Sequence, residues 1–266
     1  MSDINFKNVS FYRGERCIYD NISLTIPDNK ITSILGPSGA GKTTILQLIT
    51  GLIKPCSGSI KVDDAIITKK TKEKEFQIIR RNMGFLFQSG ALFTHLNVYE
   101  NIAFPLRKNT NLSESLIKDI VLLKLHAVGL SHTINMMPNE LSGGMARRVA
   151  LSRAIALDPS IIMYDEPFTG QDPISFNILL QLIRTLNESL NMTSIIVSHD
   201  IEESMSISDH IVIVANKKIL ASDTPENIIK STNNDVQAFL AGETMDSSAQ
   251  NNDENNIFFN NEILGV

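Results

Sequence analysis

The sequence predicts an α/β fold in which a mainly parallel sheet is flanked by helices. Strand-like and helix-like segments alternate over residues 161–230, which is typical of parallel sheets covered on both faces. The short apolar run Ile31–Leu35 leads through a glycine-rich loop into a helix-like segment at residues 43–50. Between these regions, residues 89–158 have a helical pattern and predict an all-helical subdomain inserted into the sheet.

Three further segments of the N-terminal half predict strands. Residues 4–26 alternate in the manner of strands on either side of a turn at Gly14, so they predict a pair of strands. Shorter strand-like runs cover residues 59–62 and 83–87. The first 87 residues are therefore expected to be rich in strands, with one helix at 43–50.

Stop signals place the ends of two helices in the insert. Helical apolar spacing over residues 116–128 ends at Gly129, and the segment 144–157 is closed by Asp158 and Pro159. The elements predicted beyond the insert are strand 161–164, helix 174–190, strand 194–197, helix 201–208, strands 211–214 and 218–221, and a last helix near 225–230.

Composition narrows the functional classes. The chain has 266 residues, of which 42% are hydrophobic and 20% charged, with a net charge of −5. This balance gives no indication of nucleic-acid binding. Cys17 and Cys56 lack ligand spacing, so neither a disulfide scaffold nor a zinc site is expected and a reducing cytosol fits. The N-terminus lacks the pattern of a signal peptide, and no apolar run approaches the roughly 20 residues that span a bilayer.

The acidity belongs to the C-terminal tail. Residues 243–266 contain five acids and no Lys or Arg, so removing them leaves 29 − 5 = 24 acids against 24 bases. The tail is also Asn-rich, yet it contains the apolar clusters 257–259 and 263–264. One interpretation is a solvated end without stable structure. The other is a segment that folds when it docks on a second subunit or an accessory protein.

A phosphate-binding loop is the strongest motif. Residues 36–43 fit G-x-x-x-x-G-K-[ST] and stand between a predicted strand and a predicted helix, which is the context this motif requires. Glycines let backbone N–H groups converge on a polyphosphate, and the helix N-terminus adds a positive dipole end. Lys42 can reach the β- and γ-phosphates of ATP, while the Thr43 hydroxyl can ligate Mg²⁺. The predicted nucleotide ligands in this loop are Gly36, Ser38, Gly39, Ala40, Gly41, Lys42, Thr43 and Thr44.

Further polar residues follow predicted strands. Asp165 and Glu166 come after strand 161–164, where Asp165 can hold magnesium and Glu166 can orient or deprotonate the attacking water. An acid pair after a strand is on its own more often a helix cap. The presence of the phosphate loop in the same sequence favours a catalytic role instead. His199 follows another strand and is predicted to donate toward the γ-phosphate. Gln88 is predicted to complete the shell of the metal or to sense it.

Together and in order, these residues resemble the nucleotide-binding subunit of ABC transporters. The segment Ser142, Gly143, Gly144 and Met145 opens a predicted helix and is similar to the signature motif of that family. The likeness covers residues 4–242. It implies the ABC cassette of the P-loop NTPases, with an antiparallel β subdomain and a helical subdomain at about 89–158. It also implies a dimer of ATPase subunits, in which the signature of one subunit covers the γ-phosphate held by the other.

Departures from the usual family pattern point to one branch. The signature ends in Met145, where Gln is usual, and the D-loop reads Thr169-Gly170-Gln171-Asp172. These features resemble the ATPases of Mla-type phospholipid transporters, which maintain lipid asymmetry. The aromatic residue that stacks on adenine in the family would fall at Arg13, next to Tyr12. An arginine plane can stack on a base, so the adenine contact is assigned to one of these two residues.

The resemblance implies partners and a location. The partners are a multi-pass permease, an MCE-domain lipid-binding protein and a small STAS-domain protein, and the chain would be peripheral at the cytoplasmic face of the bacterial inner membrane. The permease is expected to dock along residues 89–105, although the apolar side chains there could equally pack the helical subdomain. The alternatives are an ABC ATPase for another cargo (an amino acid, metal or drug) and a soluble ABC-type regulator, which the single cassette disfavours.

Overall fold

The computed structural model describes residues 3–242 of the chain, and both interpretations of the acidic tail concern residues outside that range. The described part contains a four-stranded antiparallel sheet and a six-stranded sheet that is parallel except at one edge. Its strands, in chain order, are β1 (Ile4–Arg13), β2 (Arg16–Ile26), β3 (Ile31–Leu35), β4 (Ser57–Val62), β5 (Ala65–Ile67), β6 (Met83–Leu86), β7 (Ile161–Asp165), β8 (Thr193–Val197), β9 (His210–Ala215) and β10 (Lys218–Asp223).

Helices occupy the connections between these strands and most of the insert. Those of the described part are α1 (Lys42–Ile49), α2 (Glu73–Arg81), α3 (Val98–Asn109), α4 (Glu114–Ala127), α5 (Gly143–Ala154), α6 (Pro173–Leu190), α7 (Ile201–Ile207), α8 (Pro225–Ile229) and α9 (Asn234–Leu240). Two single-turn 3-10 helices, Ser131–Thr133 and Pro138–Glu140, join α4 to α5.

The six-stranded sheet has the order β10-β9-β3-β8-β7-β6. Strands β3, β6, β7, β8 and β9 are parallel neighbours, and β10 pairs antiparallel with β9 at the edge. Val197 at the end of β8 is opposite Ile34 on one side and Asp165 on the other. The carboxyl ends of the central strands therefore lie at one level, so the loops that follow them share one edge of the sheet, where ligands of open α/β sheets bind.

The smaller sheet, of order β2-β1-β4-β5, packs over α1. Its inward side chains join the α1 residues Ile45, Leu46, Leu48 and Ile49 in one buried cluster, which fixes the helix that follows the phosphate loop. Burying such side chains contributes roughly 2 kcal/mol each. This antiparallel unit and the helical insert are the two subdomains that the family resemblance implies.

The helical insert packs through α3, α4 and α5. Ile102, Val121 and Leu125 share a buried cluster with Val149 of α5, and this cluster continues to the sheet through Leu86 of β6. The ammonium of Lys124 is buried and forms an ion pair with Asp158, which closes the turn before β7. The insert is thus joined to the sheet at the end of β6, close to Gln88, and at the turn that follows α5.

Most predicted elements are confirmed, with ends that differ by a few residues. The prediction that the helix near 225–230 is the last element is wrong, because α9 follows it. Strand β5 and helix α2 have no counterpart among the predictions. Helix α2 has only nine residues and buries only Phe76 and Ile79, so it offers too few apolar positions to mark a helix in a window of about 11 to 18 residues. Within residues 3–242, no helix is both long enough and apolar enough to span a bilayer.

Candidate functional site

The phosphate loop lies between β3 and α1, and its backbone needs glycine at two points. Gly36 has a φ of 156°, and a Cβ placed on it would lie 2.1 Å from the carbonyl oxygen of Val214. Gly41 has a φ of 101°, and its Cβ would lie 2.9 Å from the Tyr19 hydroxyl. Neither position accepts a side chain, because neighbouring strands approach the loop too closely. The loop is therefore held in shape by the two sheets around it.

Lys42 is buried at the start of α1 and turns back over its own loop. Its Nζ donates to the carbonyl oxygens of Gly36 at 2.7 Å and Pro37 at 3.1 Å. Burial lowers the pKa of Lys42, and the carboxylates of Glu166 and Asp165 oppose this shift. The ammonium is thus partly desolvated and is held by neutral carbonyl groups. In this state its electrostatic attraction to an incoming phosphate is strongest.

The N-terminus of α1 is open to an anion. Gly41 is its N-cap in a left-handed conformation, and no side chain caps the helix. The first-turn N–H groups therefore lack the usual side-chain acceptor. Ser38 and Gly39 are exposed at the mouth of the loop, whereas Thr44 is buried. The loop residues predicted from the sequence thus surround one helix N-terminus, which is a site that favours phosphate.

Thr43 and Asp165 meet although they are distant in the chain. The Thr43 hydroxyl donates to Oδ1 of Asp165 over 3.2 Å. Burial raises the pKa of the Asp165 carboxyl, and the hydrogen bond from Thr43 opposes this effect. A hydroxyl and a carboxylate are the hard oxygen donors that Mg²⁺ prefers, and Mg²⁺ is usually held by one or two carboxylates together with substrate phosphates. The pair beside the phosphate loop fits a magnesium ion.

Glu166 is the centre of a group of polar side chains. Its Oε2 accepts from Nε2 of Gln88 at 3.3 Å and from the Thr169 hydroxyl at 3.2 Å. Its Oε1 lies 3.4 Å from Nδ1 of His199. Glu166 has a φ of 48°, and its N–H donates to the carbonyl of Val197 over 2.9 Å. A left-handed conformation in a non-glycine residue is uncommon and is frequent at functional sites, so the fold holds this carboxylate in one place.

The signature segment stands apart from the phosphate loop. Ser142 is the N-cap of α5, and its hydroxyl accepts from the N–H of Met145 at 3.2 Å. A Cβ on Gly143 would meet nothing within 4 Å, whereas one on Gly144 would lie 2.5 Å from the Ser175 hydroxyl. Within residues 3–242, no hydrogen bond or ion pair joins residues 142–145 to residues 36–44. These two predicted anion-binding segments thus make no direct polar contact with each other in the described part of the chain.

The residues proposed for adenine lie at the end of β1. Tyr12 is exposed, and the guanidinium of Arg13 lies 3.4 Å from Oε1 of Gln47 on α1. A cavity of about 500 Å³ adjoins the phosphate loop, and its wall includes Ile18, Gly39, Ala40 and Lys217 but neither Tyr12 nor Arg13. The cavity lies within the size range of small-molecule sites. Ile18 and Lys217 were not expected from the sequence, which has no motif around them.

Thr169 and Arg147 are two further residues of the site that the motifs did not single out as functional. Thr169 was assigned to the D-loop only, and its contact with Glu166 depends on how the chain turns after β7. Arg147 lies on α5 and donates to the carbonyls of Gln88 and Thr169 at 2.6 and 3.0 Å. An arginine at the fifth position of α5 carries no sequence signal of such contacts, because its partners are backbone atoms.

The sequence has close relatives among characterised families. The profile of the ABC transporter family matches residues 19–169. The chain is 54% identical over 241 residues to the intermembrane phospholipid transport system ATP-binding protein MlaF of Haemophilus influenzae, covering 91% of each chain. The MlaF of Escherichia coli K12 is 51% identical over 239 residues, which is 90% of this chain and 88% of that protein.

Solved structures agree with these relatives. The chain matches the dimeric structure of a post-hydrolysis state of an ATP-binding cassette bound to ADP and Pi, with a TM-score of 0.74 and 32% identity over 84% of this chain and 98% of that one. This match confirms the predicted cassette fold, and the relatives confirm the resemblance to Mla-type ATPases. The positions of the individual site residues rest on the geometry described above.

Proposed function

Because the chain belongs to the ABC transporter family, we propose that it is the ATP-binding subunit of an intermembrane phospholipid transport system and hydrolyses ATP to drive it. The lipid cargo is supported by the identity of 54% to a relative of that name over 91% of both chains. The hydrolytic role is supported by one observation above all. Glu166 is held by Gln88, Thr169 and His199 at the sheet edge where Lys42 and the phosphate loop lie.

In this mechanism, the loop amides and the N-terminus of α1 hold the β- and γ-phosphates of ATP. The Lys42 ammonium leaves the carbonyls of Gly36 and Pro37 for the phosphate oxygens, where it offsets their charge. Glu166 orients the attacking water and accepts its proton, a role that contributes about 100-fold to 10,000-fold. His199, already beside Glu166, donates toward the γ-phosphate.

Thr43, Asp165 and Gln88 are the proposed ligands of Mg²⁺. Mg²⁺ held by these residues would neutralise the charge that develops on the phosphate oxygens. The Thr43 hydroxyl and the Asp165 carboxylate are already adjacent. The Gln88 amide nitrogen faces Glu166, which leaves its amide oxygen to serve as the third ligand. These residues thus order metal, water and phosphate along one edge of the sheet.

The functional unit is a dimer of two such chains. Ser142, Gly143, Gly144 and Met145 lie at a helix N-terminus that does not reach the phosphate loop of its own chain, so they cover the γ-phosphate of the second copy. The dimeric state of the matched cassette supports this arrangement. Adenine is stacked by Arg13 or Tyr12 at the end of β1. The ATP-binding domain is residues 1–242, with residues 89–158 as its helical subdomain and 243–266 as a tail.

The remaining partners follow from the transport role. We propose a multi-pass permease docked along residues 89–105, an MCE-domain lipid-binding protein and a small STAS-domain protein, with the chain peripheral to the cytoplasmic face of the inner membrane. Phe93 and Phe104 of that segment are partly exposed and pack at 5.0 Å, which supports an apolar docking face. Purification of the chain from native membranes should recover a permease and an MCE-domain protein. Recovery of a solute-binding protein instead would contradict the lipid cargo.

Two variants test the catalytic assignment. Glu166→Gln keeps the shape of the side chain but cannot accept a proton, so we expect ATP binding to persist, turnover to fall at least about 100-fold and a closed ATP-bound dimer to accumulate. Lys42→Ala removes the buried ammonium and should abolish nucleotide binding or turnover. Steady-state hydrolysis and the elution volume in the presence of ATP measure both effects. Normal hydrolysis by Glu166→Gln would refute Glu166 as the base.

A further inference from the structure

Arg147 makes an unusual set of contacts on the signature helix α5. One of its guanidinium nitrogens, Nη2, donates to the carbonyl oxygen of Gln88 at 2.6 Å. The other, Nη1, donates to the carbonyl of Thr169 at 3.0 Å and also contacts that of Pro167. A single planar group therefore joins the start of α5 to the loop after β6 and to the loop after β7. Arginine suits this arrangement because its donors have a fixed fork geometry.

Two of the residues whose carbonyls Arg147 contacts, Gln88 and Thr169, also hold Glu166 through their side chains. Gln88 Nε2 and the Thr169 hydroxyl both donate to the same atom, Oε2 of Glu166, at 3.3 and 3.2 Å. Gln88 and Thr169 belong to different loops, and Arg147 is the side chain that fixes both of their backbones. Any displacement of the guanidinium shifts both donors together relative to the carboxylate.

The environment of Arg147 indicates that these contacts matter. The side chain is half-buried, and burial lowers its pKa. Its hydrogen-bond partners are all carbonyl oxygens, and within residues 3–242 it forms no ion pair with a carboxylate. A partly desolvated guanidinium is expensive to hold without a counter-charge, so the fold tolerates it for the geometry it provides. The neighbouring Arg148 differs, since it donates only to the carbonyl of Val128 within the helical subdomain.

We infer that Arg147 is a positioning residue for the general base, acting through Gln88 and Thr169 to tie the geometry of Glu166 to the position of the signature helix. This inference rests on the proposed function of Glu166. It assigns the residue an effect on turnover and not on nucleotide affinity, because Arg147 touches neither the phosphate loop nor the cavity beside it. It also gives α5, which faces the second copy, a direct connection to the hydrolytic group of its own chain.

Arg147→Met tests the inference in the full-length chain, with Arg148→Met as the matched control on the same helix. We expect kcat for ATP hydrolysis to fall on the order of 10-fold to 100-fold, since a small misplacement of a catalytic group has that cost. The KM for ATP and the affinity for a non-hydrolysed ATP analogue should stay within roughly twofold. Arg147→Lys, which keeps the charge without the fork, should lie between Arg147→Met and the parent. Arg148→Met should keep kcat, with any loss appearing in thermal stability.

A double-mutant cycle separates positioning from a structural role. Thr169→Val removes one of the two donors at nearly constant volume, so it should lower kcat and make the further loss caused by Arg147→Met smaller in the double variant than in the parent. If the fold-losses in kcat of the two single variants multiply fully in the double variant, the two residues act independently. Unchanged kcat in folded Arg147→Met and Arg147→Lys would overturn the inference. A lowered ATP affinity at equal stability would also overturn it. If Glu166→Gln hydrolyses ATP normally, the base assignment itself fails, which is a distinct outcome.

Discussion

Replacement of Gly36 by alanine gives a sharp test of how the sheet shapes the phosphate loop. The added Cβ would lie 2.1 Å from the carbonyl oxygen of Val214, on strand β9 in the six-stranded sheet. Carbon and oxygen atoms approach to about 3.3 Å at closest, so the loop must move by about 1 Å. The strand cannot yield instead, because the neighbouring pair Leu35 and Ile213 is fixed in the sheet ladder. A displacement of this size costs on the order of 100-fold in turnover.

The assay needs a control for backbone strain, since Gly36 has a φ of 156°. Gly14→Ala provides it, because Gly14 also has a positive φ but a Cβ there meets nothing within 4 Å. Thermal unfolding is measured first, followed by ATP-analogue binding and steady-state hydrolysis of the folded variants. We expect Gly36→Ala to lose binding and turnover, and Gly14→Ala to keep both with a stability loss of about 1 kcal/mol. If the Gly36→Ala variant is folded and hydrolyses ATP as fast as the parent, the argument that strand β9 fixes the shape of the phosphate loop is refuted.

Two further predictions concern buried polar groups near the site. No group within residues 3–242 hydrogen-bonds the buried Tyr19 hydroxyl. Tyr19→Phe should therefore raise the free energy of unfolding, measured in denaturant titrations, by about 1 kcal/mol. A loss of stability would show that the hydroxyl has a partner. Burial raises the pKa of Asp165 in the folded chain above its value in the unfolded chain. Above the folded pKa, the ionised carboxylate therefore destabilises the fold. This penalty disappears as the pH falls below the unfolded pKa, because the carboxyl is then protonated in both states. Asp165→Asn should therefore unfold at a higher temperature than the parent at pH 7 and at the same temperature at low pH. The variant should also lose magnesium-dependent hydrolysis. A variant that is less stable than the parent at pH 7 would contradict the expected direction of the stability change.

Much of the architecture could be predicted from local pattern. The run Ile31–Leu35, the loop after it and the following helix were placed almost to the residue, because apolar periodicity and glycine punctuation are local signals. Strand β5 was not predicted, since it has only three residues and depends on pairing with β4. Helix α9 was also missed: it has only seven residues, and Val236 and Phe239 pack against Ile228 of α8, so its stability comes from tertiary packing.

The sequence by itself predicted the chemistry proposed for this protein: a lysine and glycines for phosphate, two consecutive carboxylates for metal and water, and a second helix start at Ser142 for an anion. Each of these is a motif of adjacent residues. The tertiary structure decided which groups act on one another, since Thr43 meets Asp165 across 122 residues and Gln88 meets Glu166 across 78. It alone revealed Thr169 and Arg147, whose contacts run through side-chain orientation and backbone carbonyls. The physical reason is that parallel strands align their carboxyl ends, and only that alignment turns distant residues into one site.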